Sequence, residues 1–121
     1  MPSTLSKEIS TLKISEKLLE NIDWEKIEPT EYKGQRGSSF WRTFESTDIR
    51  LRMIDYSADF QLDHFCNKGH IILVLKGKLH FEIKNGNTFN LSEGNSLLIG
   101  DGEINAHNIF ANVETKVFII D

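Results

Sequence analysis

The sequence predicts an all-β protein built as an antiparallel sandwich or jelly roll, and three observations support this fold class. From residue 38 onward, short apolar runs alternate with clusters of Gly, Asn, Asp and Ser, which is the pattern of strands and turns. Residues 78–91, KLHFEIKNGNTFNL, contain two alternating segments around an Asn-Gly pair, which is typical of a tight hairpin turn. The apolar runs recur roughly every 8–12 residues with no long helical pattern between them, as in sandwiches and barrels.

The chain divides into a predicted N-terminal arm, residues 1–30, and a β-barrel domain, residues 31–121. Apolar residues in the arm fit one helical stripe only loosely, so we expect a frayed segment followed by a short docked helix. Beyond the hairpin, strands of the barrel domain are predicted at residues 49–56, 70–76, 95–100 and 116–121.

The hairpin has one apolar face and one polar face. Leu79, Phe81 and Ile83 alternate with His80 and its polar neighbours along the first strand. Because successive side chains of a strand point to opposite sides, His80 is predicted to lie on the solvated face. The Asn85-Gly86 pair supplies two residues that tolerate positive φ in the turn.

Composition limits the classes of function. The chain has 121 residues and a net charge of −4, which leaves no basic surface for a nucleic acid. A single cysteine cannot form an intramolecular disulfide. There is no signal-peptide core and no apolar run of roughly 20 residues, so we expect a cytoplasmic protein that does not cross a membrane. The edges of a jelly roll need cover, which predicts a homodimer in which the N-terminal arm takes part.

The stretch DHFCNKGH, residues 63–70, holds two of the four histidines and the single cysteine. On an extended strand residues i and i+2 point the same way, so His64 and Cys66 are predicted to share a face, with Asp63 pointing away. The segment NKG then turns the chain and His70 opens the next strand, so a hairpin would bring His70 to the first pair. This arrangement is what a shared metal site requires, with Asp63 at most orienting a neighbouring imidazole.

His107 is the candidate fourth ligand, because it begins a late strand after the glycine-containing turn GDGE. Three imidazoles and a thiolate suit zinc and also iron, cobalt, nickel or copper, whereas magnesium and calcium prefer oxygen ligands. A simpler interpretation stays open for each residue. A lone cysteine is most often a small buried apolar residue, and a lone histidine more often belongs to the surface or the core.

The first half of this pattern resembles the first cupin motif, in which His-x-His is followed by Glu after three or four residues and by Gly after six more. Here the order is His64-x-Cys66, three residues, His70, six residues and Gly77. The spacing is kept, while two of the ligand types differ. The resemblance implies a cupin-type antiparallel β-sandwich or jelly-roll barrel with a short N-terminal helical or irregular arm.

The second half resembles the second cupin motif, which begins with Gly and has a Pro-x-Gly turn before a His. Gly94, the turn Gly100-Asp101-Gly102 and His107 occupy that order here, with His107 two residues later than usual.

The chain is more closely similar to the small single-domain family named for its DHCW-motif cupin fold, over residues 21–121. The stretches that carry this likeness are NIDWEKI, WRTFESTDIRLRMIDYS, DHFCNKGHIILVLKGKLHFEIKNG, LSEGNSLLIGD and VFIID. Phe65 stands where tryptophan is expected in this family. The family brings no established reaction, so the resemblance implies a fold and a site but no activity.

Carried over residue by residue, the resemblance implies that His64, Cys66, His70 and His107 face the barrel interior and bind a divalent transition metal. A common cupin site combines histidines with one carboxylate, and a thiolate in its place shifts the preference toward softer metals. Zinc is therefore the first expectation, and iron(II) or nickel the second.

Three further residues are candidates for binding a small-molecule substrate: Arg52, Tyr56 and Trp41. An inward arginine in a barrel could hold a carboxylate or phosphate through its planar fork. The stretch DIRLRMIDY places Arg52 and Tyr56 on one face, opposite Leu51 and Met53. The interpretation favoured by polarity is that the Leu and Met face packs in the core and the arginine face is solvated.

Three functions are compatible with these residues. The first is a metal-dependent small-molecule enzyme, such as an oxygenase, isomerase or hydrolase, although four protein ligands leave little room for a substrate on the metal. The second is a metallated sensor or small-molecule-binding module, since there is no obvious acid–base pair beyond the ligands. The third is a purely structural metal that stabilises a small domain.

Overall fold

The computed structural model describes residues 14–121, which form nine β-strands and two short 3₁₀ turns. The strands are β1 (Thr30–Lys33), β2 (Ser38–Glu45), β3 (Arg50–Tyr56), β4 (His70–Lys76), β5 (Lys78–Ile83), β6 (Thr88–Ser92), β7 (Ser96–Ile99), β8 (His107–Phe110) and β9 (Thr115–Ile120). The 3₁₀ turns are Trp24–Lys26 and Glu103–Asn105. Every predicted strand is present, with its ends within one residue of the predicted ones for β3, β4, β7 and β9.

The strands pair antiparallel in two sheets, which confirms the predicted all-β sandwich. The larger sheet has the order β1-β2-β3-β9-β4-β7 and the smaller one β6-β5-β8. Buried apolar side chains of the two sheets form one core, in which Ile54, Val74 and Val117 of the larger sheet lie with Leu79 and Phe81 of the smaller, each at most 1% exposed. The sheets are therefore joined by the removal of apolar surface from water.

Strand β3 corrects the prediction about which of its faces is solvated. Arg52, Ile54 and Tyr56 are buried, at 6%, 1% and 5% exposed, whereas Leu51 and Met53 are half-buried on the opposite face. The alternation of the two faces was predicted correctly, but the charged face is the one that points into the barrel. The reason is the carboxylate of Asp121, the residue directly after β9, which compensates the arginine charge inside the protein.

The β5–β6 hairpin has the predicted faces and a different turn. Leu79, Phe81 and Ile83 are buried, and His80 lies on the opposite face, where it stacks on Phe110 with ring centroids 4.6 Å apart. The loop spans residues 84–87, and the Ile83 carbonyl accepts a hydrogen bond from the Gly86 amide at 2.8 Å. Only Gly86 has a positive φ, 102°, among the loop residues, so the two-residue turn expected for Asn-Gly does not form.

Gly77 connects β4 to β5 through a conformation that a side chain would disturb. Its φ is +85°, and a Cβ atom there would lie 2.4 Å from the carbonyl oxygen of Glu114. The turn that carries the last glycine of the first cupin-like motif is therefore packed against the loop before β9.

The predicted helix of the N-terminal arm is, over residues 14–29, one 3₁₀ turn at Trp24–Lys26. The Asp23 carboxylate caps it by accepting from the Glu25 amide at 3.2 Å, and Trp24 packs edge-on against Phe118 of β9 at 6.2 Å. The rest of the predicted arm, residues 1–13, lies outside the described part, and the boundary at residue 30 stays a prediction. Over residues 14–121, no helix has the length and apolar character needed to span a membrane.

Candidate functional site

A cavity of about 330 Å³ lies inside the barrel, and every site residue predicted from the sequence lines it. These residues are His64, Cys66, His70, His107, Arg52, Tyr56 and Trp41. The wall is completed by apolar core residues from both sheets, among them Ile54, Phe60, Phe81 and Ile109. The cavity is of a size that can enclose a small ligand.

Two of the histidines approach each other across the sandwich. His70 is the first residue of β4 in the larger sheet, and His107 is the first residue of β8 in the smaller one. Their ring centroids are 5.2 Å apart and their planes are nearly perpendicular. Burial, assisted by the nearby His107 and Arg52, lowers the pKa of His70 to about 4, and burial also lowers the pKa of His107. Both imidazoles are therefore neutral at neutral pH, which is the form that binds metals.

Cys66 is held next to His107 by the backbone. The Cys66 amide donates to the His107 carbonyl at 2.8 Å, and the His107 amide donates to the Cys66 carbonyl at 2.9 Å. The Asn108 side chain supports the same segment by donating to the carbonyls of Leu62 and His64, each at 3.0 Å. Residues 62–66 are thus positioned by β8 through the Cys66–His107 bridge, the Asn108 side chain and a hydrogen bond that the Leu62 amide donates to the Ile109 carbonyl at 3.0 Å.

His64 lies at the rim of the cavity, with 63% of its side chain exposed. Its Nδ1 lies 2.8 Å from Oδ1 of Asp63, and because a carboxylate only accepts, the imidazole donates this hydrogen bond. Asp63 also lines the cavity, so the strict alternation predicted for residues 63–66 does not hold. The reason is that this segment bends and pairs only at Cys66 instead of forming a strand.

The candidate ligands share one cavity but do not converge on one point. Within residues 14–121, no three His, Cys, Asp or Glu side chains lie close enough together to hold a metal ion in this conformation. The pair that comes closest to the predicted arrangement is His70 and His107, with Cys66 bridged to the latter.

All three cavity histidines direct Nδ1 toward an oxygen atom. For His64 this is the Asp63 carboxylate, and for His107 it is the Asn105 carbonyl at 3.0 Å. For His70 it is Oδ2 of Asp121 at 3.7 Å, which is too long for a hydrogen bond, and this buried Nδ1 has no other partner in the described part of the chain. Oxygen atoms facing Nδ1 favour the tautomer that carries its proton there, so Nε2 keeps its lone pair.

Arg52 is the buried cation of the cavity wall. Its guanidinium carbon lies 4.5 Å from the centroid of the Trp41 ring, and Trp41 is itself held by donating from Nε1 to Ser39 Oγ at 2.8 Å. A guanidinium over an indole face is stabilised by the negative face of the ring. Tyr56, 5% exposed, lies on the same face of β3, and burial raises its pKa well above the ordinary value, so its hydroxyl stays protonated.

Asp121 is the residue that the sequence analysis missed. Its carboxylate accepts from Nε and Nη2 of Arg50 at 2.9 and 3.0 Å and from Nη2 of Arg52. Its side chain is 8% exposed, and the neighbouring guanidinium groups hold its pKa below the usual range although burial opposes this. A signal was present in the sequence, because Asp121 continues the inward alternation of Val117 and Ile119.

The comparisons with known proteins identify the fold. No protein-family model matches the chain, and no curated protein matches it in sequence. A predicted oxalate decarboxylase from Thermotoga maritima is 12% identical, with a TM-score of 0.67 over 84% of this chain and 96% of that chain. Ectoine synthase from P. lautus is 13% identical, with a TM-score of 0.66 over 84% and 76% of the two chains.

A protein from Shewanella frigidimarina that contains a cupin-2 domain is 20% identical, with a TM-score of 0.54 over 67% of this chain and 78% of that chain. These likenesses show that the chain has the cupin fold, as the motif spacing implied. They do not test the narrower likeness to the DHCW-motif family, which stays a prediction.

Proposed function

We propose that this cupin-fold chain is a metal-binding protein in which His64, Cys66, His70 and His107 hold a divalent transition metal, with zinc as the first candidate and iron(II) or nickel as the second. The observation that carries the proposal is the shared orientation of the three imidazoles. Each lines the same cavity and has Nδ1 directed at an oxygen atom, so that Nε2 is the nitrogen left to bind a metal.

The surroundings of these imidazoles suit ligands better than ordinary core or surface histidines. A metal-bound histidine usually donates its other ring N–H to a carboxylate or a backbone carbonyl, which fixes the tautomer and the ring orientation. Asp63 and the Asn105 carbonyl already accept such bonds, and the carboxylate of Asp121 faces the third imidazole. With the thiol of Cys66, the donor set is one of nitrogen and sulfur, which favours zinc and other borderline metals.

The proposal requires His64, at the rim of the cavity, to move toward the other candidate ligands. His64 is the most exposed of the four candidates and lies in the bend formed by residues 63 and 64. His70, His107 and Cys66 are already attached to strands or bridged to one. We therefore expect His64 to move furthest on metal binding, together with smaller adjustments of the His70, His107 and Cys66 side chains, which do not yet converge either.

Elemental analysis of protein purified without an affinity tag or added metal tests the proposal. We expect close to one equivalent of metal in the parent protein and little in His107→Ala. His80→Ala is the matched control, because His80 lies on the outer face of β5. Parent protein without metal, which also fails to take up added Zn²⁺ or Co²⁺, would refute the proposal.

Cobalt substitution tests the role of Cys66 separately. A thiolate bound to Co²⁺ gives a ligand-to-metal charge-transfer absorption, which imidazole ligands do not give. We expect this absorption in the parent and not in Cys66→Ser, with metal still bound in the variant at lower affinity. An identical spectrum in both proteins would remove Cys66 from the ligand set.

A role in binding or converting a small molecule is the second part of the proposal, and the open cavity favours it over a purely structural metal. Four protein ligands would close a tetrahedral site, so a molecule would bind in the adjoining cavity of about 330 Å³ beside the metal and not on it. Bound metal would supply positive charge to polarise an oxygen atom of a molecule in the cavity. A large fall in melting temperature on chelation, with no effect of any small molecule on the metal-bound protein, would instead indicate a structural metal.

A further inference from the structure

The charge of the cavity is opposite to that of the whole chain. The chain carries a net charge of −4, yet four cationic side chains line the cavity, Lys33, Arg50, Arg52 and Lys68, against one carboxylate, Asp63. Asp121 behind the wall pairs with both arginines, which still leaves an excess of two positive charges. A cleft with one sign of charge and apolar walls concentrates ligands of the opposite sign.

Arg52 is the buried hydrogen-bond donor among the cationic residues that line the cavity. Its side chain is 7% exposed, and within the described residues its hydrogen bond to Asp121 comes from Nη2 alone. Nε of Arg52 is buried and has no acceptor among residues 14–121. Buried nitrogen donors are almost always paired in folded proteins, so the Arg52 guanidinium has hydrogen-bonding capacity that residues 14–121 do not use.

Trp41 keeps the guanidinium in position for such a group. The ring covers one face of Arg52 at 4.5 Å, and Ser39 fixes the ring by accepting from its Nε1 while donating to the Tyr32 carbonyl at 3.2 Å. A planar guanidinium held by an aromatic face and a carboxylate loses little conformational freedom when an anion arrives.

We propose that the cavity binds a small organic monocarboxylate, with its carboxylate on Arg52 and its apolar body against the core residues of the wall. Asp121 neutralises one of the two arginine charges, so one positive charge is left at this end of the cavity, which matches a monoanion. The rest of the positive excess belongs to Lys33 and Lys68, whose side chains are exposed, so a phosphate dianion on Arg52 would place its second charge beside apolar residues such as Ile54, Phe60 and Ile109. This inference extends the proposed function by naming the class of ligand in the same cavity.

The test is run on the full chain in the presence of a chelator, so that it is independent of the proposed metal. Benzoate and hexanoate are titrated calorimetrically, beside benzamide and hexanamide of matched shape and phenyl phosphate as the dianion. We expect both carboxylates to bind about tenfold or more tightly than their amides, because a hydrogen bond to a charged group is involved. Binding should weaken as salt is added.

Three results would overturn the inference: no binding of either carboxylate, amides binding as tightly as carboxylates, or phenyl phosphate binding more tightly than benzoate. The comparison of each carboxylate with its amide uses the parent protein alone, so it decides the matter without any variant. If the carboxylates do not bind but the elemental analysis finds metal, the carboxylate site is refuted and the proposed metal site stands. If the carboxylates bind but no metal is found, the metal site is refuted and the carboxylate site stands.

Variants then assign the site to Arg52. Arg52→Gln should lose about tenfold or more of the benzoate affinity. Arg42→Gln is the control, because Arg42 lies on the neighbouring strand β2, pairs with Asp55 at 3.7 Å and does not line the cavity. Circular dichroism checks that both variants are folded, and Arg52→Lys, which keeps the charge and loses the planar fork, should fall between parent and Arg52→Gln. Unchanged affinity in folded Arg52→Gln would contradict the assignment.

Discussion

The buried imidazole of His70 makes the stability of the metal-free protein depend on pH. Its side chain is 8% exposed, and its pKa is lowered from 6.5 to about 4, chiefly by burial. In the unfolded chain the same group titrates at about 6.5. Between these values the unfolded state binds a proton that the folded state does not bind, so the free energy of unfolding decreases as the pH falls.

The size of this effect follows from the two pKa values. The contribution of His70 is fully present above about pH 6.5 and is lost progressively as the pH falls toward about 4. Between about pH 7.5 and about pH 5, it lowers the free energy of unfolding by about 2 kcal/mol, since one pKa unit is worth about 1.36 kcal/mol. His107 acts in the same direction, because burial lowers its pKa as well.

Urea unfolding, followed by circular dichroism with a chelator present, measures the effect at both pH values. His70→Asn removes the titrating group and keeps a neutral amide that can face Asp121. Any loss of packing in the variant is present at both pH values and cancels in the comparison. We expect the pH dependence of the variant to be smaller than that of the parent by about 2 kcal/mol, with His80→Asn unchanged from the parent. Equal pH dependence in the parent and His70→Asn would refute the buried neutral imidazole.

Leu79→Ala removes a side chain with 0% exposure and should lower the free energy of unfolding in urea by about 2–5 kcal/mol; a loss below about 1 kcal/mol would contradict its central place in the core. Gly77→Ala should destabilise the protein more than Gly94→Ala although both have positive φ, because an added Cβ at 77 would lie 2.4 Å from a backbone carbonyl and one at 94 meets nothing within 4 Å. A lower melting temperature for Gly94→Ala than for Gly77→Ala would contradict this reasoning. Asp121→Asn takes the carboxylate from two buried or half-buried arginines and should cost about 3 kcal/mol, whereas Asp55→Asn, whose side chain is 38% exposed, should cost about 1 kcal/mol or less. Similar losses in chemical denaturation would show that burial does not distinguish the two carboxylates.

The sequence predicted the strands well because each carries its own period of alternation. The ends of β3 and β4 and the inward side chains of β5 followed from residues that are close together in the chain. The inward face of β3 did not, because local polarity places arginine in water. Arg52 is inside because its partner is Asp121, 69 residues further along the chain, and nothing in the local pattern of β3 indicates that pairing.

The candidate site was predicted as a set of residues but not as a geometry. His64, Cys66, His70 and His107 do line one cavity, as the motif spacing indicated. The rule that alternate residues share a face requires a regular strand, whereas residues 63 and 64 form a bend in which the imidazole of His64 and the carboxylate of Asp63 meet. Spacing in a motif thus identified the cavity, while the path of the backbone at the rim depends on the long-range hydrogen bonds of Asn108.

The position of β9 within the larger sheet makes completion of that sheet depend on residues that are far apart in the chain. β9 pairs with β3 across 59–69 residues of chain and with β4 across 40–49 residues, so it joins two parts of the sheet that have no other link. Until Thr115–Ile120 have been synthesised, β3 and β4 each expose an unpaired edge, whereas the β5–β6 hairpin is already local and complete. A high average separation between contacting residues slows folding. A chain cut before Thr115 would therefore leave the edges of β3 and β4 unpaired, because the strand that lies between them would be missing. We expect such a chain to aggregate and not to form a smaller barrel.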